Sequence, residues 1–363
     1  MLKINSIMKK PSTYLKRISI VFVLIIFAIT VCFVLQVHTP TNFDEMDSND
    51  QEMFTRLYKI NKVFDESSQF VWDAEYRPQK EPIALLPKSS KIGFTKCIYL
   101  INATPYIDTT KFKKVTFPKE MKLEDVYVAK WYNYQLFYHW FENFGFIDLD
   151  KKRILSYGVM PNLLVNDCHL AFPTLMVHES FHFYEQSKWH FEGFDKQNPV
   201  AKEIENYPYN KSHYGLLKKE YALLDLALLQ LGNKELLGNT MREWVKIREA
   251  RYAKWPQLEQ ETHTETTEGT AFYVEQKVAQ LSAASGSKIR DAKRMNSYQG
   301  CTTFSKALDT MIKEDKVSYL IHNLSYDKGR SLSLILDILS PKWKSELRTR
   351  DMPTLYALVK QNL

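Results

Sequence analysis

The stretch TLMVHESFHFYEQ, Thr174 to Gln186, puts His178 and His182 four positions apart, with Glu179 directly after the first. On a helix, residues i and i+4 lie one turn apart on one face. Both imidazoles can therefore aim a ring nitrogen at the same cation. Zn2+ accepts imidazole nitrogen at about 2.0–2.1 Å and suits a tetrahedral donor set. Glu179 is rotated about 100° from His178, so it is not set to be a third ligand from that turn. It is set to take a proton from a water that the metal activates. Thr174 fits an N-cap, and Pro173 before it blocks extension backward. Leu175, Met176, Val177, Phe181 and Phe183 flank the trio with apolar groups. A polar cluster in such surroundings needs partners, and a metal supplies them.

This H-E-x-x-H spacing is the pattern of zinc metalloproteases, and a catalytic zinc requires a third protein ligand besides an open position. A histidine six residues beyond His182, preceded by glycine, would mark a metzincin; the relevant positions hold Glu185 and Lys188. His190 falls about 80° off the face of His182. The better candidate lies in THTETTEGTAFYVEQKV, Thr262 to Val278. This segment resembles the third-ligand helix of gluzincin peptidases, notably zinc aminopeptidases of the aminopeptidase N type, where the pattern reads N-E-G-x-x-x-Y-x-E. Glu268-Gly269 aligns with E-G, Tyr273 with the tyrosine and Glu275 with the last glutamate; Thr267 replaces the asparagine. The resemblance implies Glu268 as third zinc ligand and Glu275 as an outer partner. Glu265 and Glu261 share the helix face with Glu268 and remain rivals, as does Glu203, which lies at the family's usual distance from the second histidine.

Two further islands extend the resemblance. In SYDKGRSLSLILDIL, Tyr326, Lys328 and Gly329 match the family's Y-x-K-G, whose tyrosine donates to the oxyanion of the tetrahedral intermediate. GVMPN, Gly158 to Asn162, echoes the G-x-M-E-N of the family's substrate strand through Gly158, Met160 and Asn162. Pro161 stands where that family places the glutamate that binds a free amine. The pattern therefore favours an endopeptidase over an aminopeptidase.

The elements around these residues follow from composition and periodicity. Ile18–Val37 carries no charge over 20 residues, preceded by Lys3, Lys9, Lys10, Lys16 and Arg17 and followed by Asp44, Glu45, Asp47 and Asp50. That pattern predicts a transmembrane signal-anchor with a cytoplasmic basic tail over 1–17, a stalk over 38–53 and an extracytoplasmic domain over 54–363. A cleaved signal peptide is the competing reading. Of the net charge of +7, five positive charges sit in the tail, so the remainder offers no basic surface for nucleic acid. Cys97, Cys168 and Cys301 have no metal-like spacing. Strand-like runs (KIGFTKCIYLIN, KKVTFP, RILSYGVMP) precede four segments with helical periodicity, beginning at His213, Asn233, Thr266 and Asn323.

The expectation is an α+β protein: an N-terminal transmembrane helix, then a zincin-like metallopeptidase domain with a mixed sheet and a mainly helical C-terminal part. It would cleave a peptide or protein substrate at the cell membrane, using Zn2+. The alternative is a zinc-stabilised, inactive or very selective surface binding or adhesion module on the same scaffold.

Overall fold

Residues 83–159 supply a six-stranded mixed sheet whose central strands are apolar runs. The computed structural model describes residues 21–24, 26–27, 39–89, 95–129, 144–161, 172–190, 206–284, 303–349 and 351–363. The strands are β1 (Ile83–Pro87), β2 (Ile98–Ile101), β3 (Lys113–Lys114), β4 (Val126–Ala129), β5 (Phe144–Leu149) and β6 (Lys152–Val159). Their order is β3-β4-β2-β1-β6-β5. Only the β1–β6 pair is parallel, Ile83 lying opposite Leu155 and Leu86 opposite Gly158; the other pairs are antiparallel. β1 and β2 are buried at every position. That explains their unbroken apolar character, since both faces are covered. Ala84, Leu86, Ile98, Leu100, Ala129, Ile147 and Ile154 form this core. The sheet belongs to one compact unit, Met1–Asp47 with Pro82–Pro161.

The second unit, Ser48–Glu81 with Asn162–Leu363, is helical. Its helices are α1 (Ser48–Val71), α2 (Thr174–Ser180), α3 (Lys211–Leu229), α4 (Lys234–Lys254), α5 (Glu261–Ala284), α6 (Phe304–Lys313), α7 (Val317–Leu339), α8 (Trp343–Glu346) and α9 (Leu355–Gln361). The α+β class holds, but α1 precedes the sheet instead of following it. Met53, Phe54, Leu57, Ile60 and Phe64 give α1 one buried stripe at helical spacing, and it packs against α5. Side chains of Asn210, Asn233, Thr303 and Thr354 cap α3, α4, α6 and α9 by accepting backbone N–H bonds.

The expected transmembrane helix is corrected. Among the described residues, no helix is long and apolar enough to cross a membrane. Within 18–37 only residues 21–24 and 26–27 are described; they are helical and exposed. The signal-anchor, the membrane attachment and the single-pass topology with an extracytoplasmic domain fall with it.

Two constraints hold the helical unit in register. First, α5 and α7 cross backbone to backbone. A methyl group added at Gly269 would overlap the backbone of Gly329, and one added at Gly329 would overlap the Glu265 carbonyl. Second, a fully buried charge network joins four helices. Arg248 of α4 donates through Nη2 to Glu265 at 2.6 and 2.7 Å and to Glu261 at 3.0 Å. Arg251 bonds Glu220 of α3 at 2.8 Å and also reaches Glu261. Lys328 of α7 lies 2.7 Å from Glu265 and 3.1 Å from Glu261. Three cations thus balance three carboxylates. Removing one partner from such a set strands a charge in the interior, at a cost of about 3–5 kcal/mol.

His213 of α3 lies beside this network, wholly buried, its ring edge-on to Tyr207 and Trp255. Neither ring nitrogen has a hydrogen-bond partner among the described residues. Burial, then the charge on Arg251, pushes its pKa down to about 4.

Two predictions follow from this packing. Gly269→Ala and Gly329→Ala should each cost about 1–3 kcal/mol or more in urea unfolding, because the crossing has no room to relax; an unchanged midpoint would refute the close approach. For His213, the unfolded chain holds more protons than the folded one between about pH 4 and 6.5. Its contribution is complete above pH 6.5 and lost as pH falls toward 4. The unfolding midpoint should therefore drop across that window in the wild type and drop less in His213→Phe.

Candidate metal centre

The helix carrying the two histidines is short. α2 begins at Thr174, which is its first residue and not its cap; Pro173 holds the cap position, without a side-chain bond. The α-helical pattern then widens to a π turn over Phe181–Glu185, with the Gln186 N–H reaching the Phe181 carbonyl. Single π turns of this kind recur at functional sites. Phe181 anchors the turn by packing edge-on against Trp72 and Tyr76. Glu185, completely buried, accepts from Trp72 Nε1 at 3.2 Å, Trp189 Nε1 at 3.4 Å and Arg348 Nε at 2.6 Å. The wide turn carrying His182 is thus pinned from behind.

α2 packs against α5. The contact brings His178, His182 and Glu268 together in a cluster capable of coordinating a metal ion. His178 Nε2 lies 3.1 Å from His182 Nε2 and 3.2 Å from Glu268 Oε2. His182 Nε2 lies 3.3 Å from the same oxygen. Donors at about 2.0–2.1 Å from a tetrahedral cation are separated by about 3.3 Å, so this triangle has the dimensions such an ion requires. The donor set of two imidazoles and a carboxylate also matches.

The same contacts fix the charges of the metal-free cluster. Burial pulls the His178 imidazolium down, but hydrogen bonds to Glu268 and Glu275 outweigh it and raise its pKa to about 10. Burial raises Glu268, yet His182 and His178 hold its carboxyl well below the usual range. The pocket is built for positive charge. Glu275 Oε2 sits 3.4 Å from His178 Nδ1, on the far side of the ring from the cluster. That is where an outer carboxylate orients a ligating histidine.

Glu179 is partly buried, and burial raises its carboxyl pKa; His178 and His182 oppose that rise, while Glu268 and Glu275 add to it. The Tyr326 ring stacks on His178 with centroids 6.0 Å apart. Glu265 and Glu261 are absent from the metal cluster and held in the Arg–Lys network instead. His190 is exposed. Glu203 and Asn162 lie outside the described residues, as do Cys168 and Cys301. Gly158 lies on β6 opposite Leu86, and Met160 follows the strand's end. Cys97 is buried.

Three parts of the site escape a reading of the sequence: Gln186, the Glu185 anchor, and the cations that occupy Glu261 and Glu265. Gln186 alone left a trace, since it continues the four-residue spacing of His178 and His182. No family model, curated protein or solved structure matches the chain.

If the cluster binds Zn2+, the ion stabilises the folded state by mass action, by about 2.7 kcal/mol at a hundredfold excess over Kd. Thermal unfolding of the metal-stripped protein should therefore shift upward on adding Zn2+. His182→Ala and Glu268→Gln should lose that shift.

Proposed function

We propose that the chain is a zinc-dependent peptidase of gluzincin type. The observation that carries this reading is the 3.1–3.3 Å triangle of His178, His182 and Glu268 with Glu179 adjoining it in sequence and charge. His178, His182 and Glu268 would hold the ion; two imidazoles and a carboxylate are a donor set that zinc accepts. A zinc ion in that place supplies a Lewis acid that polarises the scissile carbonyl and acidifies water.

The chain's own residues do the rest. Glu179 accepts the proton of the attacking water and returns it to the leaving amine. Its raised pKa strengthens it as a base and brings it closer to neutral pH, where a group that first takes and then gives a proton is most effective. Tyr326, whose ring stacks on His178, would donate its hydroxyl to the oxyanion. Pro161 in place of an amine-binding glutamate favours internal cleavage over removal of N-terminal residues.

A second reading has its own support. His178 and Glu268 come from segments ninety positions apart, so a bound ion would cross-link α2 to α5. That suits a metal-stabilised binding module with no turnover, in which the ion contributes folding free energy.

Incubating a mixed peptide pool with the full chain, and reading cleavage by mass spectrometry, separates the two. Peptidase activity predicts internal cuts by the zinc-loaded wild type. Glu179→Gln should keep zinc and lose about 10²–10⁴ in rate. Tyr326→Phe should lower kcat by about 10²–10³ with KM little changed. A folded, zinc-loaded wild type that cuts nothing would favour the binding module; equal cutting by Glu179→Gln would refute the assigned base.

A further inference from the structure

Gln186 is buried, at 4% exposure, with both ends of its amide engaged. Its Nε2 lies 2.7 Å from the Thr267 carbonyl and 2.9 Å from Thr270 Oγ1. A carbonyl oxygen only accepts, and the Thr270 hydroxyl directs its own hydrogen to the Thr266 carbonyl at 2.7 Å. Both contacts therefore require the amide nitrogen on that side. The amide oxygen is left facing His182 Nδ1, at 2.8 Å. Oxygen only accepts, so His182 carries its hydrogen on Nδ1. In the neutral, metal-binding imidazole its Nε2 is then the lone pair, lying beside His178 Nε2 and Glu268 Oε2.

The same amide does a second thing. Thr267 immediately precedes Glu268. One side chain thus orients the second histidine and grips the backbone that carries the carboxylate ligand. His178 is oriented differently, by the Glu275 carboxylate at its Nδ1.

We infer that Gln186 is a positioning residue for the metal centre: it sets the His182 tautomer and locks α2 to α5 beside Glu268, and so governs metal affinity. The inference rests on the metal-centre reading above, but not on any peptidase activity. Ligand-orienting groups of this kind contribute about 10–100-fold to metal affinity.

The test uses the full chain and Zn2+, with affinity read by competition against a chromogenic chelator. Gln186→Met keeps the side-chain volume and removes both hydrogen-bonding ends. It should weaken Zn2+ binding by about 10–100-fold while leaving far-UV circular dichroism unchanged. Gln186→Glu keeps an acceptor opposite His182 but sets a second oxygen against the Thr267 carbonyl, so it should recover only part of that affinity. A role in packing alone would lower the stability of metal-free and zinc-loaded protein equally and leave affinity where it was. Affinity of Gln186→Met within about twofold of wild type overturns the inference, given the size such partners ordinarily have. A direct readout needs no variant: long-range 1H–15N correlation in the zinc-loaded wild type should show His182 protonated at Nδ1, and protonation at Nε2 would overturn the assignment. His182→Ala serves as the control. If it binds Zn2+ as wild type does, the metal-centre reading itself fails. If it loses Zn2+ while Gln186→Met does not, only the role of Gln186 fails.

Discussion

The contact between α5 and α7 at Gly269 and Gly329 governs the helical unit. Neither glycine has room for a Cβ. At that separation the two helices cannot slide or rotate past each other without backbone overlap. Glu268 sits beside one glycine, and Tyr326 lies one turn before the other. The crossing therefore sets the carboxylate ligand and the aromatic ring stacked on His178 in one arrangement. The two glycines are also the best matched residues of the E-G and K-G islands. Their packing supplies a physical reason for glycine at both places that does not depend on the resemblance.

The buried network works on the same crossing from the side. Lys328 precedes Gly329, and Glu265 supplies both the carbonyl that Gly329 approaches and a carboxylate that Lys328 neutralises. This arrangement also resolves a conflict on α5. Glu261, Glu265 and Glu268 lie close together on one helix and would repel if left alone. Arg248, Arg251 and Lys328 neutralise the first two, so only Glu268 is left for the histidines. Ion pairs this deep contribute little net stability relative to apolar packing, but each depends on all its partners. The network is best understood as a device that keeps each carboxylate on its own partner.

Both rings of the histidine pair are held from behind by acceptors of different charge, a carboxylate for His178 and an amide for His182. The two Nε2 atoms and a carboxylate oxygen converge, so the cluster holds hydrogen bonds among its own members and offers three donors to a cation. The proposed peptidase requires Glu179 as its base, and the binding module does not. Its partial burial raises its carboxyl pKa, which makes it a stronger base than a carboxylate in water.

What the sequence determined by itself is local. The spacing of His178 and His182, the E-G and K-G islands, the strand runs and the periodicity of the four C-terminal helices are all encoded within short windows, where a period of 2 or 3.6 and the residue type suffice. Those features carried the α+β class and the identity of the three clustered residues. The same local reasoning misled at the N-terminus, where 20 uncharged residues suggested a membrane span, yet no described helix is long and apolar enough to make one. Spacing alone did not separate Glu268 from Glu261 and Glu265, which only the E-G resemblance did, because the cations that hold the other two arrive from α4 and α7. Gln186 and Glu185 acquire their roles from Thr267, Trp72 and Arg348, each more than 80 residues away. Only tertiary structure brings such partners together: a buried polar group must be satisfied by whatever the fold places against it, and the chain's local pattern does not specify what that is.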